Sequence, residues 1–129
     1  MNLPSTTTRR LALATVVWGV VFAIVHVYWA AAEPRLAAGL YIAFVAILGL
    51  AGAAVAYGFL AGRRDGRLRL LARLGAAALL LGVVFGTARW IADGSLGDDG
   101  AAGVVITAYF LLGGVLYARL GRPYRPARE

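Results

Sequence analysis

The chain has 129 residues, of which 61% are hydrophobic and 15% charged, and its mean hydropathy is +0.78. A soluble domain is about half apolar and a quarter charged, and a chain this short could not bury so much apolar surface, so a water-soluble globule is excluded. The formal charge is +7, all of the basic residues are arginine, and cysteine is absent, which excludes disulfides, thiol catalysis and thiolate metal sites.

A helical membrane span needs about 20 mostly apolar residues. Four stretches supply them, and they predict an all-α, four-helix transmembrane bundle forming a single integral membrane domain over 1–129. The first span runs from Leu11 to Ala32. It follows Arg9-Arg10 and ends on Ala30-Ala31-Ala32, as a cleavable signal would. Its apolar run is longer than a signal's and carries His26, Tyr28 and Trp29, so an uncleaved span is expected.

Glu33-Pro34-Arg35 makes a tight turn, because proline cannot continue the helix. The second span runs from Leu36 to Ala61, and a polar link follows over Gly62 to Arg69. The third span covers Leu70 to Ala92. A Gly/Asp loop, Asp93 to Gly100, leads into the fourth, Ala101 to Leu120. Strands are not expected, since a lone hairpin of strands cannot satisfy its backbone in lipid.

Arginine placement predicts the orientation. Eleven of the 13 arginines fall in the N-terminal segment, in the second connector with its flank, and in the C-terminal tail. Only Arg35 and Arg89 lie toward the other side, with Glu33, Asp93, Asp98 and Asp99. Both termini are therefore expected in the cytoplasm, with the basic segments on anionic lipid headgroups rather than on nucleic acid.

Gly19 to His26 reads GVVFAIVH and Gly82 to Arg89 reads GVVFGTAR. The match suggests two parallel helical-hairpin repeats, in which His26 and Arg89 would be equivalent. Small residues at Gly19-xxx-Ala23, Gly58-xxx-Gly62 and Gly82-xxx-Gly86 predict close helix packing, expected within one chain.

Ionisable groups inside a span are costly and mark functional sites by default. His26, the only histidine, lies near the outer end of the first span, and Arg89 lies near the outer end of the third. Tyr28, Trp29, Tyr41, Trp90, Asp93 and Tyr109 share that level and are candidate ligand-binding residues. Asp93 is four residues beyond Arg89 and could pair with it. An interfacial aromatic belt and an Arg89 that reaches the headgroups would account for the same residues.

Several chemistries fail a residue test. A bis-histidine haem needs two histidines, a di-iron site needs intramembrane carboxylates, and a small multidrug antiporter needs an acid in its first span. No cofactor and no metal is expected. The leading expectation is a small apolar or lipid-like ligand bound in the outer half of the bundle. A membrane enzyme of isomerase or cyclase type is a second reading. There His26, as an imidazole that exchanges protons near neutral pH, would be the acid/base and Arg89 its electrostatic partner. A transporter or channel subunit is a third, since four spans are too few for a wide pore and homo-oligomerisation is left open.

His26-Val27-Tyr28-Trp29-Ala30 resembles the H-x-Y-W-A signature of a family of small four-span bacterial membrane proteins, catalogued as domain of unknown function 3995. The usual glycine pair after the motif is replaced by Ala31-Ala32-Glu33. The resemblance implies a bacterial cytoplasmic membrane and a four-span fold, and it carries no activity. Arginine-only basic usage with abundant Ala and Gly suits a GC-rich bacterial genome.

Overall fold

The structure is a computed structural model and describes residues 4–63, 65–93 and 100–123. The chain is all-α. Four helices follow in order: α1 (Thr6–Ala32), α2 (Leu36–Leu60), α3 (Gly66–Asp93) and α4 (Gly100–Leu120). Stretches within them, Thr6–Ala32, Leu36–Leu60, Gly66–Arg89 and Gly103–Leu120, are long and apolar enough to cross a membrane. At about 1.5 Å rise per residue, each matches or nearly matches the ~30 Å hydrocarbon layer. The chain divides into two compact units, Met1–Leu68 and Arg69–Glu129, each described by itself below.

Two helices begin earlier than their apolar runs. Ser5 caps α1: its Oγ accepts the Thr8 N–H at 3.2 Å, satisfying an otherwise orphaned first-turn donor. Asp65 does the same for α3, its Oδ1 accepting the Leu68 N–H at 2.8 Å. Much of the expected link from Gly62 to Arg69 is thus the first turn of α3. A capping side chain sets a helix start, whereas hydropathy marks only where lipid begins. The loop expected from Asp93 to Gly100 is helical at both ends, and 94–99 lie outside the described residues.

α1 stops at Ala32 for a local reason. The residue before a proline is driven to extended backbone, and Glu33, before Pro34, sits at φ −77° and ψ 119°. The Glu33 Oε1 accepts hydrogen bonds from Arg35 Nε at 2.8 Å and from the Arg35 N–H at 3.2 Å, closing the turn into α2. The side-chain bond from Arg35, then its backbone bond, holds the Glu33 carboxyl below the usual glutamate range. A lowered carboxyl pKa contributes stability that is complete above the unfolded value and lost as pH falls through the folded one. A carboxyl-carbon NMR titration is expected to place Glu33 below an unpaired glutamate, and Arg35→Ala should return it upward. A midpoint unmoved by that substitution would remove the pairing from the account.

α2 ends differently. Gly62 takes φ +81°, donating its N–H to the Phe59 carbonyl at 3.1 Å, while Arg63 donates to Gly58 at 3.0 Å. This is a Schellman closure, and its left-handed position favours glycine. Gly62 therefore shapes a helix end rather than a packing stripe.

In the first unit α1 and α2 cross on small residues. A Cβ at Gly19 would stand 3.1 Å from the Ala53 Cβ and 3.2 Å from the Gly49 carbonyl oxygen. Ala12, Ala23, Ala46, Ala53 and Ala56 are buried along the same seam. Lipid offers little hydrophobic drive between helices, so backbones must approach closely to gain dispersion contacts. Thr15 is buried there too, its hydroxyl donating back to the Leu11 carbonyl at 2.8 Å.

In the second unit α3 and α4 meet through Ala72, Ala76, Leu80, Gly114, Tyr117 and Gly121. A Cβ at Gly114 would lie 2.8 Å from the Leu80 Cδ2. Arg73 Nε donates to the Gly121 carbonyl at 2.8 Å, just past the end of α4. A cation there also complements the negative end of the helix dipole. Arg73 thus has a structural task beyond the charge asymmetry.

The eight-residue match between α1 and α3 does not carry over to side-chain surroundings. Phe22 is 4% exposed against α2, and its counterpart Phe85 is 71% exposed. The packed face of α3 follows Ala72, Ala76, Leu79 and Val83 instead. Two helical hairpins are present, but corresponding letters point in different directions around their helices.

Candidate functional site

Four aromatic residues of α1 share one face because Trp18, Phe22, His26 and Trp29 are spaced by four, four and three. Trp18 and Phe22 stack with ring centroids 5.1 Å apart. Phe22 and His26 stack at 4.0 Å, and His26 meets Trp29 edge-on at 5.3 Å. Burial falls along this ladder. Trp18 and Phe22 are buried, His26 is half-buried, and Trp29 is 41% exposed.

The imidazole is held by its own helix. His26 Nδ1 lies 2.8 Å from the Phe22 carbonyl oxygen. A carbonyl can only accept, so Nδ1 carries the proton and donates it there. In the neutral ring that leaves Nε2 as the acceptor. Among the described residues Nε2 has no hydrogen-bond partner. The α2 stretch beside this level is bracketed by two close approaches. Gly49 meets Phe22, and a Cβ at Gly39 would stand 3.3 Å from the Ala30 carbonyl oxygen. Between them α2 offers a single polar side chain, Tyr41, which is 68% exposed.

Of the candidate residues, the first unit brings together His26 and Trp29. Tyr28, 71% exposed, leaves the helix on another side, and Tyr41 is exposed as well. Glu33 faces the turn and is taken by Arg35. In the second unit Arg89 is exposed near the end of α3, and Tyr109 is half-buried on α4. Trp90 and Asp93 belong to the last turns of α3, and their side chains lie outside the described residues, as does any Arg89–Asp93 pairing. Phe22 and Trp18 were not among the residues singled out for the site. Their spacing of four and eight residues from His26 was the available signal, and it is easily mistaken for ordinary apolar content.

Four long apolar helices, each with large apolar side chains exposed along it, define a polytopic α-helical membrane protein. No protein-family model, curated protein or solved structure matches the chain.

Proposed function

We propose that this membrane protein binds a small lipophilic ligand at the outer end of α1, against His26 and Trp29. The observation that carries the reading is the oriented imidazole. Its Nδ1–H is committed to the Phe22 carbonyl at 2.8 Å and its ring is clamped between two aromatic rings. A side chain whose position is settled by packing and a hydrogen bond is prepared for recognition. The distribution of arginine supports cytoplasmic termini, which puts this end of α1 at the outer leaflet of a bacterial inner membrane. The His26–Ala30 motif supports placing the chain beside the family it resembles.

The test is co-purification. The chain extracted in mild detergent should carry a lipophilic species near one per chain by native mass spectrometry. His26→Ala should reduce that occupancy at least about fivefold, as losing one buried hydrogen bond predicts, with unchanged helicity by circular dichroism. Equal occupancy in both would refute the proposal.

A further inference from the structure

The tautomer restricts what the site can take. With Nδ1–H donated to Phe22, the polar group left for a ligand is the Nε2 lone pair. An acceptor in apolar surroundings recognises a donor and gains nothing from a carbonyl or an ether. Beside the imidazole stand the Phe22 and Trp29 rings, and the other polar side chains at this level, Tyr28 and Tyr41, are 71% and 68% exposed. The matching ligand is therefore an apolar body bearing a hydroxyl.

We infer that His26 Nε2 accepts a hydrogen bond from a lipophilic alcohol or phenol. The inference rests on the ligand-binding reading above and narrows it to a chemical class. Oxidised quinones, ketones and ethers of the same shape are disfavoured, because their oxygens would face a lone pair. The recognition involves no transfer step: the hydroxyl proton stays on the ligand oxygen.

The single histidine makes the test unambiguous, since histidine-selective nitrogen-15 labelling reports one ring. The full chain in lipid nanodiscs is titrated with three probes: para-hexylphenol, its methyl ether para-hexylanisole, and decanol. The ligand-free spectrum should show a protonated Nδ1 and a bare Nε2. The phenol should move the Nε2 resonance and bind about tenfold more tightly than the ether, as one net hydrogen bond predicts. Decanol separates the two sources of hydroxyl. An Nε2 shift with decanol extends the site to aliphatic alcohols, and silence with decanol limits it to phenols, both in support. His26→Phe keeps a ring on Phe22 and should erase the phenol's advantage.

A protonated Nε2 in the ligand-free chain would overturn the inference. So would phenol and ether binding equally, or no binding by any probe. If phenol and ether bind equally and co-purification still depends on His26, the ligand-binding reading survives and the donor class alone falls. If co-purification is also independent of His26, both fall.

Discussion

Replacing Gly49 with alanine is expected to destabilise the first hairpin by about 1–3 kcal/mol, the usual range for forcing extra volume into a packed seam. The added Cβ would stand 2.6 Å from the Phe22 Cδ1 and 3.2 Å from its Cε1. That ring cannot swing away cheaply, because it is stacked on Trp18 at one side and His26 at the other. The clash should therefore propagate along α1 to the site. An SDS-unfolding titration should show the lost stability, and the nitrogen-15 signals of His26 should shift although position 49 is on another helix. Phe22→Leu in the Gly49→Ala background should recover part of the stability and leave the imidazole without its stacking partner. Wild-type stability in the single variant would show that the seam is looser than these distances require.

Gly121→Ala should weaken the second hairpin by a similar ~1–3 kcal/mol. Here the obstacle is largely main chain. A Cβ would sit 3.3 Å from both the Arg69 carbonyl oxygen and the Arg73 nitrogen, and 2.7 Å from the Arg73 Cγ. Backbone in a helix cannot retreat as a side-chain tip can, so α3 and α4 must separate at this end. The separation would also break the Arg73 Nε bond to the Gly121 carbonyl. Arg73→Met keeps the aliphatic stem and removes only that donor, so it should cost about 1 kcal/mol. Amide hydrogen exchange over the last turn of α4 reads both effects, and the alanine variant should exchange faster than the methionine variant. The reverse order would mean that the hydrogen bond, not the close approach, holds this end.

These two glycines, with Gly62, show how far a letter can be interpreted. The motif spacing drew attention to Gly58-xxx-Gly62 as a packing stripe. Gly62 instead provides a left-handed turn, while Gly58 receives Leu68, whose Cδ1 would be 2.9 Å from an added Cβ. Gly49 opens a Gly49-xxx-Ala53 pair that was not singled out and Gly121 lies in none, and each is constrained by a neighbour distant in sequence. Spacing along one helix identifies a small face, but the helix across from it decides whether that face is used.

The site divides in the same way. The position of His26 near the C-terminal end of its span was legible, because span limits follow from hydropathy. Its pairing with Trp29 follows from three-residue helical spacing. The roles of Phe22 and Trp18 were not legible. An aromatic in an apolar span looks like any other lipid-facing residue until burial distinguishes Phe22 from the freely exposed Phe85. Glu33, one heptad beyond His26, does not continue its helical face, because Pro34 ends the helix at Ala32 and Arg35 takes the carboxylate.

By itself, the sequence determined that this is a membrane protein with four helical spans, where lipid begins and ends along it, and which segments hold the charge. Those properties depend on transfer free energies summed over about 20 residues, and such sums tolerate ignorance of every contact. Only the tertiary structure decided which glycines are crowded, which ring of the GVVF pair is buried, and which imidazole nitrogen is left to accept. Those depend on single distances near 3 Å between residues far apart in the chain, and no local pattern encodes them.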